Sequence, residues 1–474
     1  MENKIVKKDI IKKNTIRKND EIEIVILEMG EKGQGIAYIN DLKIFIDGGV
    51  VEDRLIVKIV KISNKYLVGK LLKVIEPSKY RIIEECKYSR VCGGCQYQSI
   101  DYKKQLDIKR DLVINALKKE IKIDEKKIMK TIGMDNPYKY RNKAQFPINK
   151  NGDDIVIGFY KKASHILVDI DDCILQNPRV KEIVQVFKKY ILENNVSIYN
   201  SKTMIGVLRY VVIRSSFLTN EDMLIVVTSE DELVTKDILI KNLRSVKSVT
   251  SIIQNVNKDL GNKILGTINK TIYGKNTIMD SIGDIKYNIS PLSFFQVNSF
   301  QTKILYDKVG QYANLTGEEI VFDLYSGIGS IALTIAKNAK KVYGVEIIKE
   351  AVDDARENAR LNNIKNVEFI VGRAEEVVPN MFNRKSEITA DLVIVDPPRK
   401  GCDRELLSTI VKMKAKKLIY VSCKPASLAR DLKYLVDNGF VVEEVTPVDM
   451  FSWTSHVEVV LRLTRKNLLG EISE

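Results

Sequence analysis

No apolar run in the 474 residues approaches the roughly 18 that a membrane-spanning helix needs, and the first twenty positions mix seven basic with three acidic residues instead of an apolar signal core. These absences argue against a membrane or secreted protein and lead us to expect a cytoplasmic one. Cysteine is scarce, six residues in all, and a chain kept in a reducing compartment does not build a disulfide framework. The few cysteines are therefore read as metal ligands or catalysts. No internal repeat is present, and no low-complexity segment beyond a charged leader over residues 1–15, so the chain is not a repeat array.

What the sequence does contain is enough apolar material, 45% of residues, to bury sizeable cores, and its length suits about three domains. Lysine and arginine number 76 against 62 aspartates and glutamates, a net charge of +14 that favours a polyanionic partner, with nucleic acid foremost. A solvated Lys-rich surface explains the same charge without any partner. Nothing in the pattern fixes an oligomeric state.

After the leader, alternation at Ile22, Ile24 and Ile26, at Ile44 and Ile46, and at Leu55, Val57 and Ile59, with Gly30, Gly33, Gly35, Gly48 and Gly49 between, predicts a small OB-like β-barrel over residues 16–77. Residues 78–283 mix patterns. An amphipathic stretch at Lys103 to Lys119 and strand-like runs at Ile155 to Tyr160, Gly206 to Ser215 and Met223 to Thr228 predict a central α+β domain. From 284 to 474 strands and helices alternate, with strands at Ile320 to Leu324, Lys341 to Glu346, Val367 to Val371, Leu392 to Asp396 and Leu418 to Ser422, and a helix at Ile348 to Asn362. That order predicts a doubly wound, Rossmann-like α/β domain.

Cys86, Cys92 and Cys95 form C-x5-C-x2-C, with Gly93 and Gly94 free to wrap the backbone around one centre, and Cys173 is available as a distant fourth ligand. Zinc and a [4Fe-4S] cluster both accept four thiolates. Zinc sites usually pair two C-x2-4-C hooks, which the chain lacks, so the expectation is a cluster acting as a structural staple.

Asp323-Leu-Tyr-Ser-Gly327-Ile-Gly329 follows a strand and opens a helix, the setting of a nucleotide-type loop. Read from Gly327 it is also G-x-G-x-x-A, a pattern shared with dinucleotide oxidoreductases. Glu346, ending the next strand, would accept ribose hydroxyls in either class. The two prolines of Asp396-Pro397-Pro398-Arg399-Lys400-Gly401 stiffen a loop on which a substrate base would lie beside the cofactor.

Cys423 stands at the carboxyl end of a strand, where open α/β sheets place ligands, and Pro425 opens the following helix, whose amino terminus is expected to lower the thiol pKa. A soft thiolate suits addition to C6 of a uracil ring, which makes C5 nucleophilic enough to accept a methyl group, and a base must then remove the C5 proton. Glu458, on the strand-like run Val457 to Leu463, is the expected base, with burial raising its pKa. His456 is the alternative base and Cys402, beside the Asp396 loop, the alternative nucleophile.

Taken in order, the barrel with Gly33-Gln-Gly35-Ile-Ala-Tyr38, the cysteine pattern with Cys173, Phe294-Phe295-Gln296-Val297-Asn298, the Asp323 and Asp396 loops, Ser422-Cys423-Lys424-Pro425 and His456-Val457-Glu458 resemble the TRAM-containing, iron–sulfur RNA uracil-5 methyltransferases that act on bacterial 23S ribosomal RNA. The resemblance implies that Cys423 is the nucleophile and Glu458 the general base, that Gln296, Tyr325, Ser330, Glu346 and Asp396 line an S-adenosylmethionine pocket, and that Cys86, Cys92, Cys95 and Cys173 hold a [4Fe-4S] cluster. Tyr140-Arg141-Asn142-Lys143 is similar to the family's basic segment, which makes Arg141 and Lys143 candidate RNA contacts. The chain departs from the family at Lys424, where Asn is frequent, and at Ser452, where Pro is frequent. The tRNA uracil-5 methyltransferases share the catalytic pieces and generally lack the barrel and the cysteine cluster. A non-catalytic RNA-binding assembly factor on the same scaffold is a further alternative.

Overall fold

The computed structural model describes residues 16–384 and 390–466, so the charged leader expected over residues 1–15 lies outside the described residues. Two compact units result, one running to Ile83 and including Gln96–Lys104, the other comprising Glu84–Cys95 and the chain from Gln105 onward.

The first unit is a six-stranded sheet in the order Glu21–Val25, Arg54–Ile62, Tyr66–Glu76, Leu42–Ile46, Gly35–Ile39, Glu28–Met29. Its outermost strands belong to one continuous segment that pairs with Arg54–Ile62 at one end and Gly35–Ile39 at the other, which curls the sheet on itself. The expected alternation is present. Leu55, Val57, Ile59, Ile44 and Ile46 are all fully buried, each such side chain contributing about 1.5–3 kcal/mol relative to exposure. Asp53, also fully buried, accepts hydrogen bonds from the backbone amides of Val50 and Ser78 (2.7 and 2.9 Å) and pairs with Arg81, which ties the outgoing chain to the sheet.

In the second unit the carboxyl-terminal sheet runs Val367–Val371, Lys341–Glu346, Ile320–Leu324, Leu392–Val395, Lys417–Ser422, Glu458–Arg465, Phe440–Val448. Its first five strands are parallel, and Glu458–Arg465 inserts antiparallel between its two neighbours. Side chains alternate between two apolar layers, as a pleated strand requires. Val321, Ile394, Ile419 and Val421 join helices Ser299–Ala313, Ser330–Ala336 and Lys349–Leu361 on one face. Phe322, Leu324, Val395 and Tyr420 join helices Arg404–Lys412 and Pro425–Asp437 on the other. Val113, Ile114 and Leu117 of helix Tyr102–Glu120 also belong to this second layer, so the amphipathic stretch assigned from sequence to the central domain completes the core of the carboxyl-terminal one.

A second seven-stranded sheet, Ile268–Gly274, Val249–Val256, Asp222–Thr228, Leu208–Ser215, Lys143–Asn151, Asp154–Tyr160, Leu167–Asp169, makes up the central region. Helices Arg179–Glu193 and Lys236–Leu243 cover one face. Residues of the other face, among them Val212, Ile225 and Ile253, share an apolar cluster with the carboxyl-terminal helices. The hairpin Ile278–Ile282/Ile285–Ile289 turns at Gly283, so a boundary between 283 and 284 would cut through paired strands.

Candidate active site

Three carboxylates gather where the parallel strands end. Leu324 pairs with Val345 on one side and Val395 on the other, which brings the next residues, Tyr325, Glu346 and Asp396, into one row across the sheet. Tyr325, Gly327 and Gly329 all adopt positive φ (69°, 54° and 82°), folding the Asp323 loop sharply before helix Ser330–Ala336. The two glycines serve different ends. A Cβ on Gly329 would stand 2.5 Å from the Phe369 ring, whereas one on Gly327 would meet nothing within 4 Å, which leaves room for a ligand above it.

Glu346 accepts the amides of Gly327 (3.1 Å) and Ile348 (2.9 Å) and so fixes the loop to the neighbouring strand. Asp323 accepts the Ala332 amide at 3.0 Å through Oδ2, while its buried Oδ1 has no partner. Burial, reinforced by the charge of Asp396, pushes the Asp323 carboxyl up to about 8, and burial pushes Asp396 up to about 6. Ser330 Oγ lies 2.9 Å from the hydroxyl of buried Tyr306, whose pKa is raised well above its usual value by burial first and by Asp396 second. Half-buried Gln296 is held through its backbone, its carbonyl accepting from Asn142 Nδ2 at 2.9 Å.

The thiol side is set by strand register. Ser422 pairs with Val459 in the antiparallel ladder, so the next step along each strand sets Cys423 against Glu458. Two side chains thirty-odd residues apart thus share one face at the end of the sheet. Glu458 is 6% exposed, and burial, with Asp396 adding to it and Arg399 opposing it, raises its pKa well above the ordinary carboxylate range. Burial was expected for this carboxylate and is observed.

The expectation for the nucleophile's charge is corrected. Burial pushes the Cys423 thiol up to about 11, and Glu458 and Asp396 push the same way, so the start of helix Pro425–Asp437 does not prevail. Arg399 works in the other direction, lowering it. The rival Cys402 is 5% exposed, donates to Tyr420 Oη at 3.6 Å and is pushed up to about 12 by burial, a packed thiol with no access to substrate. His456 lies with its ring edge towards Phe451, and burial and the cations Arg399, Lys109 and Arg141 lower its pKa, which keeps it neutral.

Comparison with known proteins gives the family. A family model described as tRNA (Uracil-5-)-methyltransferase matches residues 101–466, and one described as TRAM domain matches residues 17–72. The chain belongs to the tRNA (uracil-5-)-methyltransferase family. It is 45% identical over 460 residues to a Clostridium tetani protein described as an uncharacterized RNA methyltransferase, covering 97% of this chain and 98% of the relative. A Halalkalibacterium halodurans RNA methyltransferase is 43% identical, with 95% and 98% covered. Among solved structures, the tRNA (uracil-54, C5)-methyltransferase of Pyrococcus abyssi, in complex with S-adenosyl-L-homocysteine, matches with a TM-score of 0.75 and 29% identity, covering 94% of this chain and all of that one.

In this uracil-5 methyltransferase the expected four-cysteine ligand set is not shown. Among the described residues, no group of three or more His, Cys, Asp or Glu side chains is arranged to hold a metal ion. The sulfurs of Cys86, Cys92 and Cys173 nevertheless lie near enough that thiolate charge on one disfavours ionisation of its neighbours Cys86 and Cys92. Burial raises the pKa of Cys86 and Cys92, with Cys173 adding to both, while amides of Tyr88 and Ser89 stabilise the Cys86 sulfur. The Gly94 amide donates to Cys92 Sγ at 3.4 Å, and Cys95 acts on the buried hydroxyl of Tyr140.

Of the two basic candidates, Arg141 holds its guanidinium 5.9 Å from the ring centres of Tyr140 and Phe451. Lys143 pairs in register with Arg214, and burial first, then that neighbouring cation, lowers its pKa to about 7, which weakens it as a point charge.

Sequence reasoning missed the supports of the segment that leads to Glu458. Lys109 and Asp449 form a fully buried ion pair at 2.5 Å, and the ammonium also donates to the carbonyl of Phe451 at 3.0 Å. Removing one member of such a pair typically costs about 3–5 kcal/mol. Asn298 caps helix Ser299–Ala313 and donates to the Met450 carbonyl at 3.1 Å, a role that its place before a helical run did signal. The Lys109 contact spans 340 residues and has no local signature.

Proposed function

We propose that the protein transfers a methyl group from S-adenosylmethionine to C5 of a uridine in 23S ribosomal RNA, in the cytoplasm, through a covalent adduct at Cys423. The observation that carries the reading is the facing pair Cys423 and Glu458 beside the buried carboxyls Asp323 and Asp396, whose ionised forms burial disfavours. A sulfonium cofactor would stabilise those ionised forms.

The chemistry balances as follows. The Cys423 thiol would first lose its proton to solvent, its thiolate sulfur would bond to C6, and the displaced π electrons would form the bond from C5 to the methyl carbon as the carbon–sulfonium bond breaks to leave a neutral thioether. Glu458 takes the C5 proton, the C5–C6 double bond re-forms, and the C6–sulfur bond breaks to release the thiolate. Both C5 and C6 must leave the base stack to be reached, so the uridine is flipped into the site, with Arg141 and Lys143 as contacts to the RNA. Asp396, Tyr325, Glu346, Ser330 and Gln296 hold the cofactor. Positive charge beside Asp396 and Cys423 favours the ionised forms that burial disfavours, so cofactor binding prepares the thiolate.

This charge pairing has a measurable sign. Asp396 and Asp323, near 6 and 8 without ligand, would release protons to solvent when a cation binds beside them, so affinity for S-adenosylmethionine is expected to rise from pH 6 to pH 8. The ligand-free protein behaves inversely. Carboxyls with raised folded pKa values contribute stability below their unfolded pKa and lose it as pH rises through 6 and 8. Calorimetry in buffers of differing ionisation enthalpy measures the proton release, and binding without release contradicts the assignment.

Cys86, Cys92, Cys95 and Cys173 we read as ligands of a structural [4Fe-4S] cluster, on the strength of the spacing that brings Cys86, Cys92 and Cys173 close enough for repulsion between their thiolate forms, with peptide amides on the sulfurs of Cys86 and Cys92. Bound iron would remove that repulsion. Anaerobically purified protein is expected to contain iron and sulfide in equal amounts, and a single zinc contradicts the reading.

A second reading, methylation of tRNA, is favoured by the likeness to the Pyrococcus abyssi enzyme, a tRNA (uracil-54, C5)-methyltransferase. Labelled methyl transfer to 23S rRNA and tRNA isolated from a deletion strain, followed by mapping of 5-methyluridine, separates the two. Incorporation into neither RNA overturns both.

A further inference from the structure

We propose that Asp431 is a positioning residue that clamps the helix following Cys423 to the loop following Asp396, so that nucleophile and loop meet the uracil as one rigid piece. The proposal rests on the methylation reading above and adds a residue that touches none of the reacting atoms.

Helix Pro425–Asp437 begins immediately after the Cys423-Lys424 turn and presents Ser427, Arg430 and Asp431 on one face, as spacings of three and four dictate. Ser427 Oγ donates to the carbonyl of Arg399 at 3.0 Å. Arg430 Nη2 donates to that of Lys400 at 2.8 Å. Asp431 Oδ2 accepts the amide of Cys402 at 2.8 Å and the hydroxyl of Tyr420, on the strand leading to Cys423, at 2.6 Å. Its Oδ1 accepts Arg430 Nε and Nη2 at 2.9 and 2.6 Å. A carboxylate has about four acceptor sites, and these four bonds use them on a side chain 1% exposed. Such a group is saturated, suited to rigidity and not to proton transfer.

The loop has been shaped to receive it. Gly401 adopts φ +80°, and a Cβ there would stand 2.5 Å from Asp431 Oδ2, so a larger residue would push the clamp open. The amide of Gly401 closes the turn on the carbonyl of Pro398 at 2.8 Å. The loop thus held includes Arg399, the cation acting on both Cys423 and Glu458, so the clamp sets how strongly the guanidinium is felt at the thiol.

The test is the single-turnover rate at which RNA containing 5-fluorouridine becomes cross-linked to Cys423 in the presence of S-adenosylmethionine. In Asp431→Asn the rate is expected to fall on the order of 10²-fold, the effect of a small misplacement of reacting groups, with cofactor affinity unchanged and the alkaline limb of the pH–rate profile displaced. Arg430→Met, at an exposed position, breaks the link to Lys400 and is expected to slow cross-linking in the same direction by less. A purely structural role predicts a lower melting temperature with a normal rate per cofactor-binding molecule, and that result overturns the proposal. Should Asp431→Asn fail to fold, a normal rate in Arg430→Met overturns it equally. If the unaltered protein forms no cross-link, the covalent mechanism falls, and the clamp with it.

Discussion

Replacing Cys423 with alanine is expected to abolish methyl transfer while leaving S-adenosylmethionine binding intact. Without sulfur at C6 nothing makes C5 nucleophilic, and no neighbouring group substitutes. Cys402 is packed against Tyr420 with its thiol pushed up to about 12, and Asp396 and Glu458 are carboxyls, too weakly nucleophilic to add to a pyrimidine. Cofactor affinity remains because the residues assigned to the cofactor stand on the ends of other strands. Transfer of labelled methyl groups and calorimetric cofactor binding, measured on one preparation, give both halves of the result. Full activity in the variant removes the covalent mechanism.

Glu458→Gln has a different signature. Addition and methylation proceed, but C5 keeps its proton, so the enzyme remains bonded to a methylated base. Turnover is expected to drop about 10²–10⁴-fold, the usual contribution of a positioned base, while a protein–RNA species resistant to denaturation accumulates. Gel electrophoresis under denaturing conditions detects it, and mass spectrometry places it on Cys423. Equal loss of turnover without that species assigns proton removal elsewhere, with His456 the nearest alternative. The amide retains the shape of the buried side chain, and removing an acid from a site where burial disfavours its ionised form carries little stability cost.

Much of the fold was legible because interior parallel strands are short, apolar and sharply bounded. Ile320–Leu324, Lys341–Glu346 and Val367–Val371 begin and end where the sequence predicts. Phe440–Val448 escaped notice, since Glu443, Glu444 and Pro447 interrupt its apolar run. It forms the sheet's edge, where proline and charge are tolerated. The site residues were readable as residue types at strand ends. Their electrostatics were not, because the thiol's environment is set by Asp396 and Glu458, which reach it through tertiary packing that no local motif encodes. The same holds for Lys109, which looks like one more solvated cation on an amphipathic helix and is fully buried against Asp449. The cysteines were legible as a spacing. Among the described residues it brings three thiols near one another without showing a closed ligand set.

The antiparallel insertion of Glu458–Arg465 also bears on how the enzyme comes into being. The two strands that flank it, Lys417–Ser422 and Phe440–Val448, precede it during synthesis, yet in the finished sheet they do not pair with each other. A ribosome-bound chain that has emerged only through Val448 therefore carries its future nucleophile on a strand with one bare flank and no proton acceptor opposite. The last strand closes that gap and delivers Glu458 in the same event. On the proposed mechanism, the pairing of Cys423 with Glu458 is complete only when the sheet is whole, and a shorter chain would leave an unpaired strand edge.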